Sequence, residues 1–282
     1  MLNVFTIESH GLKALNPRTI SLKQEAKSVI FVTGDTHGDF SRFTADRFPE
    51  QKELTKDNFV IICGDFGIWS DTKEQRSRLK WLDEKPFTTL FVSGNHENYD
   101  LLASYPISAW NGGKVQFIKP SVIHLMRGQV FSIENRKFFT MGGAVSHDID
   151  RGILEPDDPS FKEKQRKLNA SGSPYRINHV SWWKKELPNA EEYAEANQNL
   201  ACNGWKVDFV ISHCAPTSVS SFISGGTYRP DALTDYLEQL KSKLDFRRWY
   251  FGHYHSDLNI GTQFVLLYEK ILWLSYLGFE SF

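Results

Sequence analysis

Five short runs of apolar residues recur along the chain, and each is followed directly by polar residues. Runs of this length are typical of buried strands, and ligands in α/β proteins gather beyond the carboxyl ends of such strands. The runs cover residues 29–32, 60–62, 90–92, 209–211 and 249–251. The pattern therefore predicts an α/β fold in which the polar residues that follow the runs meet at one edge of a sheet.

The rest of the pattern predicts the elements around these strands. Helices are predicted at 74–83, after residue 96, at 188–199 and at 231–241. Four closely spaced apolar runs within 113–141 predict antiparallel strands, either as a second sheet or as an extension of the first. We also expect an edge strand at 4–7, a closing hairpin of 264–267 with 271–274, and an irregular excursion at 146–206. Because the motifs run along most of the chain, we expect a single domain, 1–282.

Composition narrows the class of protein. The 282 residues are 40% hydrophobic, and 33 basic and 34 acidic side chains give a formal charge of −1. This balance does not indicate nucleic acid as a partner, and it leaves the oligomeric state open. No apolar stretch approaches the ~20 residues of a membrane span, and the first residues lack the order of a secretion signal. Cys63, Cys202 and Cys214 have no CxxC spacing, so we expect a reducing, cytoplasmic location.

The polar residues that follow the five runs are of types that bind metal ions. They are Asp35, His37, Asp65, Asn95, His213, His253 and His255. Asp35 and His37 are two positions apart, as are His253 and His255, so each pair can reach one ion. Mixed carboxylate, amide and imidazole donors suit Mn or Fe, or else Zn. Asp65 is the candidate to bridge two divalent ions, which together can activate a water and stabilise in-line displacement at a phosphate ester.

The motifs that contain these residues occur in a recognisable order. The sequences GDTHGD, CGDFG, SGNHE, ISHCAP and FGHYH resemble those of calcineurin-like metallophosphoesterases, and the ordered set is far more specific than any single motif. The resemblance implies the metallo-dependent phosphatase fold, a four-layer sandwich of two mixed β-sheets flanked by helices. It implies a first metal bound by Asp35, His37, Asp65 and His255. It implies a second metal bound by Asp65, Asn95, His213 and His253.

The resemblance also assigns a role to His96, which follows Asn95 directly. In the family, the corresponding histidine contacts the phosphate and protonates the leaving oxygen after in-line attack by a metal-bridging hydroxide. We therefore expect His96 to be the catalytic side chain.

One motif departs from the serine/threonine protein phosphatases. Those enzymes carry GDxxDRG, whereas this chain has GDFGIWS, with Ile68 in place of the carboxylate that orients the catalytic histidine. The phosphate-binding arginine that follows that carboxylate is absent as well. The sequence thus looks more like a bacterial and phage group of these phosphoesterases. Glu97 and Asp71 are the candidates to orient His96 instead.

Several other residues allow two interpretations. His147 and Arg151 are either substrate contacts near the metal edge or parts of a polar loop. Arg176 either binds phosphate or is a surface charge, and the surface charge is favoured. For Trp182 and Trp183, core packing is favoured over stacking on a nucleobase.

These residues predict a metal-dependent phosphoric ester hydrolase that acts on phosphate monoesters or diesters. Within this class a nuclease and a protein phosphatase remain open, although the near-neutral charge argues mildly against long nucleic acid substrates. The alternative from another class is a non-catalytic, metal-binding interaction module on the same fold.

Overall fold

The computed structural model describes residues 28–149 and 151–274, which contain fifteen strands and six α-helices. The strands are β1 Ile30–Thr33, β2 Phe59–Ile62, β3 Thr88–Phe91, β4 Ile107–Trp110, β5 Gly113–Lys119, β6 Val122–Leu125, β7 Gln129–Ile133, β8 Arg136–Met141, β9 Ile153–Leu154, β10 Arg176–Ile177, β11 Phe209–Ser212, β12 Arg248–Phe251, β13 Leu258–Ile260, β14 Phe264–Leu266 and β15 Ile271–Trp273. The helices are α1 Lys73–Asp83, α2 Tyr99–Ala103, α3 Phe161–Ser171, α4 Ala190–Cys202, α5 Thr217–Ser224 and α6 Ala232–Lys243. The predicted edge strand at 4–7 lies outside the described residues.

The strands form two large sheets and one short one. The first sheet has seven strands in the order β15-β1-β2-β3-β6-β5-β4, with β1, β2, β3 and β6 parallel and the remaining strands antiparallel to their neighbours. The second has six strands in the order β13-β14-β12-β11-β8-β7, with β8, β11, β12 and β14 parallel. Strands β9 and β10 pair separately. Two mixed sheets were predicted, and this prediction is confirmed.

Alternate residues of the strands face different layers, as the period of two in a strand requires. Val32 of β1 packs with Ile211 of β11 in the core between the two sheets. Its neighbour Phe31 packs instead with Leu82 of α1, outside the first sheet. Leu237 of α6 packs on the outer face of the second sheet. The order of layers is thus helix, sheet, sheet, helix, which confirms the predicted four-layer sandwich.

The strand register brings the carboxyl ends of the motif-bearing strands level with one another. Thr33 of β1 is opposite Ile62 of β2, and Ile62 is opposite Phe91 of β3. In the second sheet, Ile211 of β11 is opposite Tyr250 of β12. The loops that leave these five strands carry the predicted metal ligands, so the topology places all five motifs at one end of the sandwich.

The predicted helices are confirmed with small shifts of boundary. The helix predicted at 74–83 is α1, whose first turn is capped by the side chain of Thr72. The helix predicted at 188–199 is α4, and that predicted at 231–241 is α6, capped by Asp231. None of the helices within the described ranges has the length and apolar character needed to cross a membrane.

Two predicted strand pairings are wrong or incomplete. The residues expected to form a closing hairpin lie in different sheets, because β14 pairs with β12 whereas β15 pairs with β1. The Asp257 carboxylate accepts hydrogen bonds from the N–H groups of Tyr268 and Glu269, which fixes the chain where it crosses between the sheets. The four runs within 113–141 are also divided, since β5 and β6 extend the first sheet while β7 and β8 belong to the second.

The excursion at 146–206 is more regular than predicted. It contains α3, α4 and the short β9–β10 pair, and it is anchored to the body of the protein through Asp100. Asp100 Oδ2 accepts hydrogen bonds from His179 Nδ1 and Trp183 Nε1, each at 2.7 Å. Trp183 is 4% exposed and packs in the core outside the first sheet, as predicted. This anchor fixes the excursion beside the loops that carry the motifs.

We expect Asp100→Ala to loosen the excursion while the two sheets stay folded, because Trp183 Nε1 loses its acceptor at a buried position. Trypsin should then cut at the basic residues of α3 faster than in the wild type, as followed by mass spectrometry. Asp157→Ala, which removes an exposed carboxylate of the same excursion, is the matched control. Equal cleavage rates in the two variants would contradict the anchoring role of Asp100.

Candidate metal centre

Two buried carboxylates lie at the centre of the end of the sandwich where the five loops meet. Asp35 follows β1, Asp65 follows β2, and each is 1% exposed. Asp35 forms one group with His37 and His255 and another with Asp65 and His213, and within each group the donor atoms lie within 4.8 Å of one another. The cluster therefore combines side chains from both sheets.

The first group surrounds one oxygen of Asp35. His255 Nε2 lies 3.3 Å from Asp35 Oδ2 and 3.1 Å from His37 Nε2. His37 Nδ1 lies 3.9 Å from Asp65 Oδ2, so the His37 ring is situated between the two carboxylates. Tyr268 stacks on the His255 ring with the ring centroids 4.7 Å apart, which limits rotation of that imidazole.

The second group surrounds Asp65. His213 Nε2 lies 3.4 Å from Asp65 Oδ2 and 3.1 Å from Asn95 Oδ1. His213 Nδ1 lies 2.9 Å from the carbonyl oxygen of Cys63. Because a carbonyl only accepts, Nδ1 carries a hydrogen, and Nε2 is the ring nitrogen that faces the cluster and would be the one to bind an ion. Asn95 Nδ2 donates to Ser146 Oγ at 3.3 Å, which turns its Oδ1 toward His213.

His253 lies beside the two carboxylates, and the predicted substrate contacts, His147 and Arg151, lie farther out. The His253 N–H donates to Asp35 Oδ1 at 3.0 Å, and its ring centroid is 4.9 Å from that of His213. His147 Nε2 lies 2.9 Å from His253 Nε2. Arg151 is exposed, and no hydrogen bond or ion pair among the described residues joins it to the cluster. The structure thus brings His147, but not Arg151, to this edge.

Four of the seven candidate ligands have a positive φ. The angles are 46° for His37, 43° for Asp65, 71° for His253 and 47° for His255. Side chains other than glycine seldom adopt this region, and residues held there cluster at functional sites where the surrounding structure enforces the conformation. The loops therefore hold these side chains at a cost in local backbone energy.

Two motif glycines make room for ligands from other motifs. A Cβ on Gly94 would lie 2.0 Å from Asp65 Oδ1, and a Cβ on Gly252 would lie 2.0 Å from Asp35 Oδ1. Neither glycine has a positive φ, so the requirement is one of space. Each glycine is therefore required because the carboxylate of a different motif occupies the space that a side chain would take.

The electrostatics of the cluster call for a positive charge. Burial alone would lower the pKa of His213, but Asp65 and Asp35 outweigh it and raise that pKa to about 10. Burial would raise the pKa of Asp65, but the nearby imidazoles, His213 first, lower it well below its ordinary value. Burial and then Asp65 raise the pKa of Glu97 to about 7, and burial lowers the pKa of His253. Any negative charge on two buried carboxylates this close must be balanced by protons or by cations.

The residues present fit two divalent cations. Carboxylate and amide oxygens together with imidazole nitrogens are the donors that Mn, Fe and Zn share, whereas structural zinc sites rely on thiolates. Asp65 Oδ2 lies near both His37 and His213, one from each group, so this carboxylate is placed to serve two ions.

His96 lies beside the cluster, but neither of the carboxylates predicted to orient its ring does so. The His96 N–H donates to Asp65 Oδ1 at 2.8 Å. Glu97 accepts from the N–H of Gly94 in its own motif and from that of Gly67 in a neighbouring motif, and Asp71 pairs with Arg76 at 2.8 Å. The prediction of Glu97 or Asp71 as the orienting residue is therefore wrong.

Two described side chains contact the His96 ring. The His37 ring lies edge-on to it, with the centroids 5.7 Å apart, and Arg176 Nη2 lies 3.3 Å from His96 Nδ1. The Arg176 side chain is only 20% exposed and pairs with Asp148, so the favoured interpretation of a surface charge is wrong. Arg176 and His96 are 80 positions apart, and no motif spacing in the sequence signals their contact. A basic residue in the excursion was the only available indication.

Comparison with known proteins identifies the family to which this arrangement belongs. Residues 28–257 match the family described as calcineurin-like phosphoesterase, which covers most of the chain. The chain belongs to this family.

Similar curated proteins include three lariat debranching enzymes. The enzyme of Caenorhabditis briggsae is 22% identical over 215 residues, which cover 70% of this chain and 38% of that protein. The enzyme of Caenorhabditis elegans is 22% identical, with 73% of this chain and 41% of that protein covered. Lariat debranching enzyme A of Xenopus laevis is 24% identical, with 45% and 26% covered. The chain spans at most 41% of the length of these calcineurin-like relatives.

We expect Gly94→Ala to weaken metal binding to this phosphoesterase by about 10- to 100-fold. The added methyl group would lie 2.0 Å from Asp65 Oδ1 and must displace that carboxylate. Titration calorimetry with Mn²⁺ measures the affinity. Gly204→Ala is the control for metal affinity. A Cβ on Gly204 meets nothing within 4 Å, and the strain at its φ of 64° lowers stability without displacing a candidate ligand. An unchanged affinity in Gly94→Ala would show that Asp65 does not depend on this space.

Glu97→Ala should lower the free energy of unfolding by about 2–4 kcal/mol, since two buried N–H groups lose their acceptor. These groups belong to Gly67, at 3.1 Å, and Gly94, at 2.5 Å. Glu97→Gln keeps one acceptor oxygen and should cost less. Urea denaturation checks both, with Glu53→Ala as an exposed control expected to change stability by less than about 0.5 kcal/mol. A Glu97→Ala protein as stable as this control would refute the structural role.

Proposed function

We propose that this chain is a dinuclear metal-dependent phosphoesterase that cleaves phosphodiesters. The first ion would be bound by Asp35, His37, Asp65 and His255. The second would be bound by Asp65, Asn95, His213 and His253. The observation that carries the proposal is the convergence of donor atoms from five loops, 3.1–3.9 Å apart, around two buried carboxylates.

When bound, the two ions would activate a water for in-line attack and neutralise charge on the phosphate. The protein holds the groups that complete this chemistry. Asp65 is fixed between the two groups, with its Oδ1 accepting from the His96 N–H and its Oδ2 facing His37 and His213. The short link from Asp65 to His96 keeps the His96 ring next to the cluster. We propose that His96 donates to the leaving oxygen as its bond to phosphorus breaks.

The choice of a diester over a monoester rests on the relatives. Three of them are named as lariat debranching enzymes, which favours a diester with a branched or nucleotide-containing leaving group. Protein phosphatase activity is disfavoured, because Ile68 at the critical motif position is fully buried in an apolar core and provides packing only. His147 at the edge of the cluster is proposed as a substrate contact, and Arg151 is retained as one on the sequence alone.

Two broader expectations stay proposals beside the activity. One is that residues 1–282 form a single domain, and the other is a cytoplasmic location. Cys63, Cys202 and Cys214 are all free thiols, which supports a reducing compartment. A non-catalytic interaction module on this fold is the rival function, and the presence of all seven candidate ligands counts against it.

Hydrolysis of bis-p-nitrophenyl phosphate and of p-nitrophenyl phosphate by the Mn²⁺-loaded protein tests the proposal directly. We expect the diester to have the higher kcat/KM. Asp65→Asn should abolish turnover by weakening both metal sites, while His96→Ala should keep both ions and lose about 10²- to 10⁴-fold in kcat. Asp71→Asn, in an exposed carboxylate of the neighbouring segment, is the matched control. A metal-loaded protein inert toward a broad panel of phosphate esters would favour the interaction module.

A further inference from the structure

Arg176 extends from the excursion to the ring of His96. It lies in the short strand β10, and its Nη2 is 3.3 Å from His96 Nδ1. None of the five motifs contains it, and the function proposed above does not use it. Since His96 is the residue proposed to donate to the leaving oxygen, whatever fixes its ring bears on the reaction.

The guanidinium of Arg176 is held in place by Asp148. Arg176 Nε donates to Asp148 Oδ1 at 2.7 Å, and Nη2 lies 2.5 Å from Asp148 Oδ2. This two-point pairing fixes the plane of the guanidinium, as a single contact would not. Nη1 adds a contact of 3.4 Å to the carbonyl oxygen of Ser181. The guanidinium is therefore oriented before any substrate arrives.

The backbone under Arg176 is fixed as well. Strand β10 pairs with β9, placing Arg176 opposite Ile153, and the Asn178 N–H donates to the Leu154 carbonyl at 3.0 Å. Beyond β10, the anchor at Asp100 ties the chain to the first sheet. The β9–β10 pairing and the Asp100 anchor thus fix the backbone that places Arg176 beside His96.

The chemistry of arginine determines the polarity of the contact. A guanidinium has five N–H donors and no acceptor, so His96 Nδ1 must accept. The hydrogen of the neutral imidazole then resides on Nε2, the nitrogen left for the substrate. From this neutral ring Nε2–H donates a hydrogen bond to the leaving oxygen, which takes its proton from water as the ester bond breaks. In the protein phosphatase motif a carboxylate takes the orienting role, but the corresponding Ile68 here is fully buried and cannot contact the ring in that way.

We propose that Arg176, held by Asp148, is a positioning residue that fixes the ring plane and tautomer of His96 so that Nε2–H faces the substrate. This inference rests on the proposed phosphoesterase function and adds the residue that prepares His96 for it. The competing role is direct contact of Arg176 with the phosphate, which would act on the substrate rather than on His96.

The tautomer can be observed without turnover. In ¹⁵N-histidine-labelled, Zn²⁺-loaded protein at about pH 8, where an ordinary imidazole is neutral, the ¹⁵N spectrum separates protonated from unprotonated ring nitrogens. We expect His96, assigned through His96→Ala, to show Nε2 protonated and Nδ1 not. Arg176→Met should give a mixture of tautomers, whereas Arg166→Met, at an exposed position of the same excursion, should match the wild type. A protonated Nδ1 in the wild type would overturn the proposal.

Kinetics separate positioning from phosphate contact. Arg176→Met should lower kcat between about 10- and 100-fold with little change in KM, the range expected for a misplaced catalytic group. In a His96→Ala background the same substitution should change kcat less than about twofold, because the two residues act as a unit. Equal losses in both backgrounds, or a loss confined to KM, would assign Arg176 to the phosphate instead.

Two checks keep these outcomes distinct. Arg176→Lys retains a donor but cannot pair with both oxygens of Asp148, so it should fall between the wild type and Arg176→Met in both experiments. If the wild type shows the expected tautomer but hydrolyses no phosphate ester, the contact with His96 stands and the proposed function fails. If it hydrolyses esters with Nδ1 protonated, the function stands and the role of Arg176 fails.

Discussion

The structure depends on bringing two carboxylates, Asp35 and Asp65, into the interior at the junction of two sheets. Both are 1% exposed, and both face the same buried imidazole, His213. Burying one unbalanced carboxylate is costly, and burying two side by side is more so. The arrangement is stable only with compensating positive charge, which a proton on His213 supplies in part and divalent cations would supply in full. Metal affinity is thus built into the fold as the relief of an electrostatic cost.

The loops around the carboxylates are shaped by the same requirement. Gly94 and Gly252 leave space for the carboxylates themselves, and Glu97 joins two of the loops through backbone N–H groups. His37 and His255 accept a positive φ so that their rings can reach Asp35. Each of these choices costs conformational freedom or local strain, and the cost is tolerable because a well-packed four-layer core lies directly beneath.

The sequence was sufficient where chemistry is local and insufficient where it depends on distant pairing. Asp35, Asp65 and His213 follow apolar runs directly, so strand ends and ligand types could be inferred together. The prediction of a closing hairpin was wrong because adjacency in sequence does not reveal that β14 and β15 pair with strands of different sheets. The prediction of the residue that orients the His96 ring was wrong for a related reason. The candidates were Glu97, next to His96, and Asp71, just after the preceding motif, whereas Arg176 reaches His96 from 80 positions away through an excursion whose path no periodicity encodes.

The sequence of the excursion is less constrained than that of the five loops that carry the candidate metal ligands. This difference indicates which part of the protein determines substrate selectivity. Asp35 and Asp65 are buried and need compensating charge from the groups around them, so the five motifs have little freedom to vary. The excursion has more freedom to vary in sequence. Asp148 and Arg176 pair with each other at a partly exposed position, and they need only the support of β9 and the anchor at Asp100. Loops held by a rigid scaffold are where substrate preference is commonly set. A family of phosphoesterases can therefore keep one metal edge and change what it acts on by changing the segment that presents groups such as Arg176 to His96.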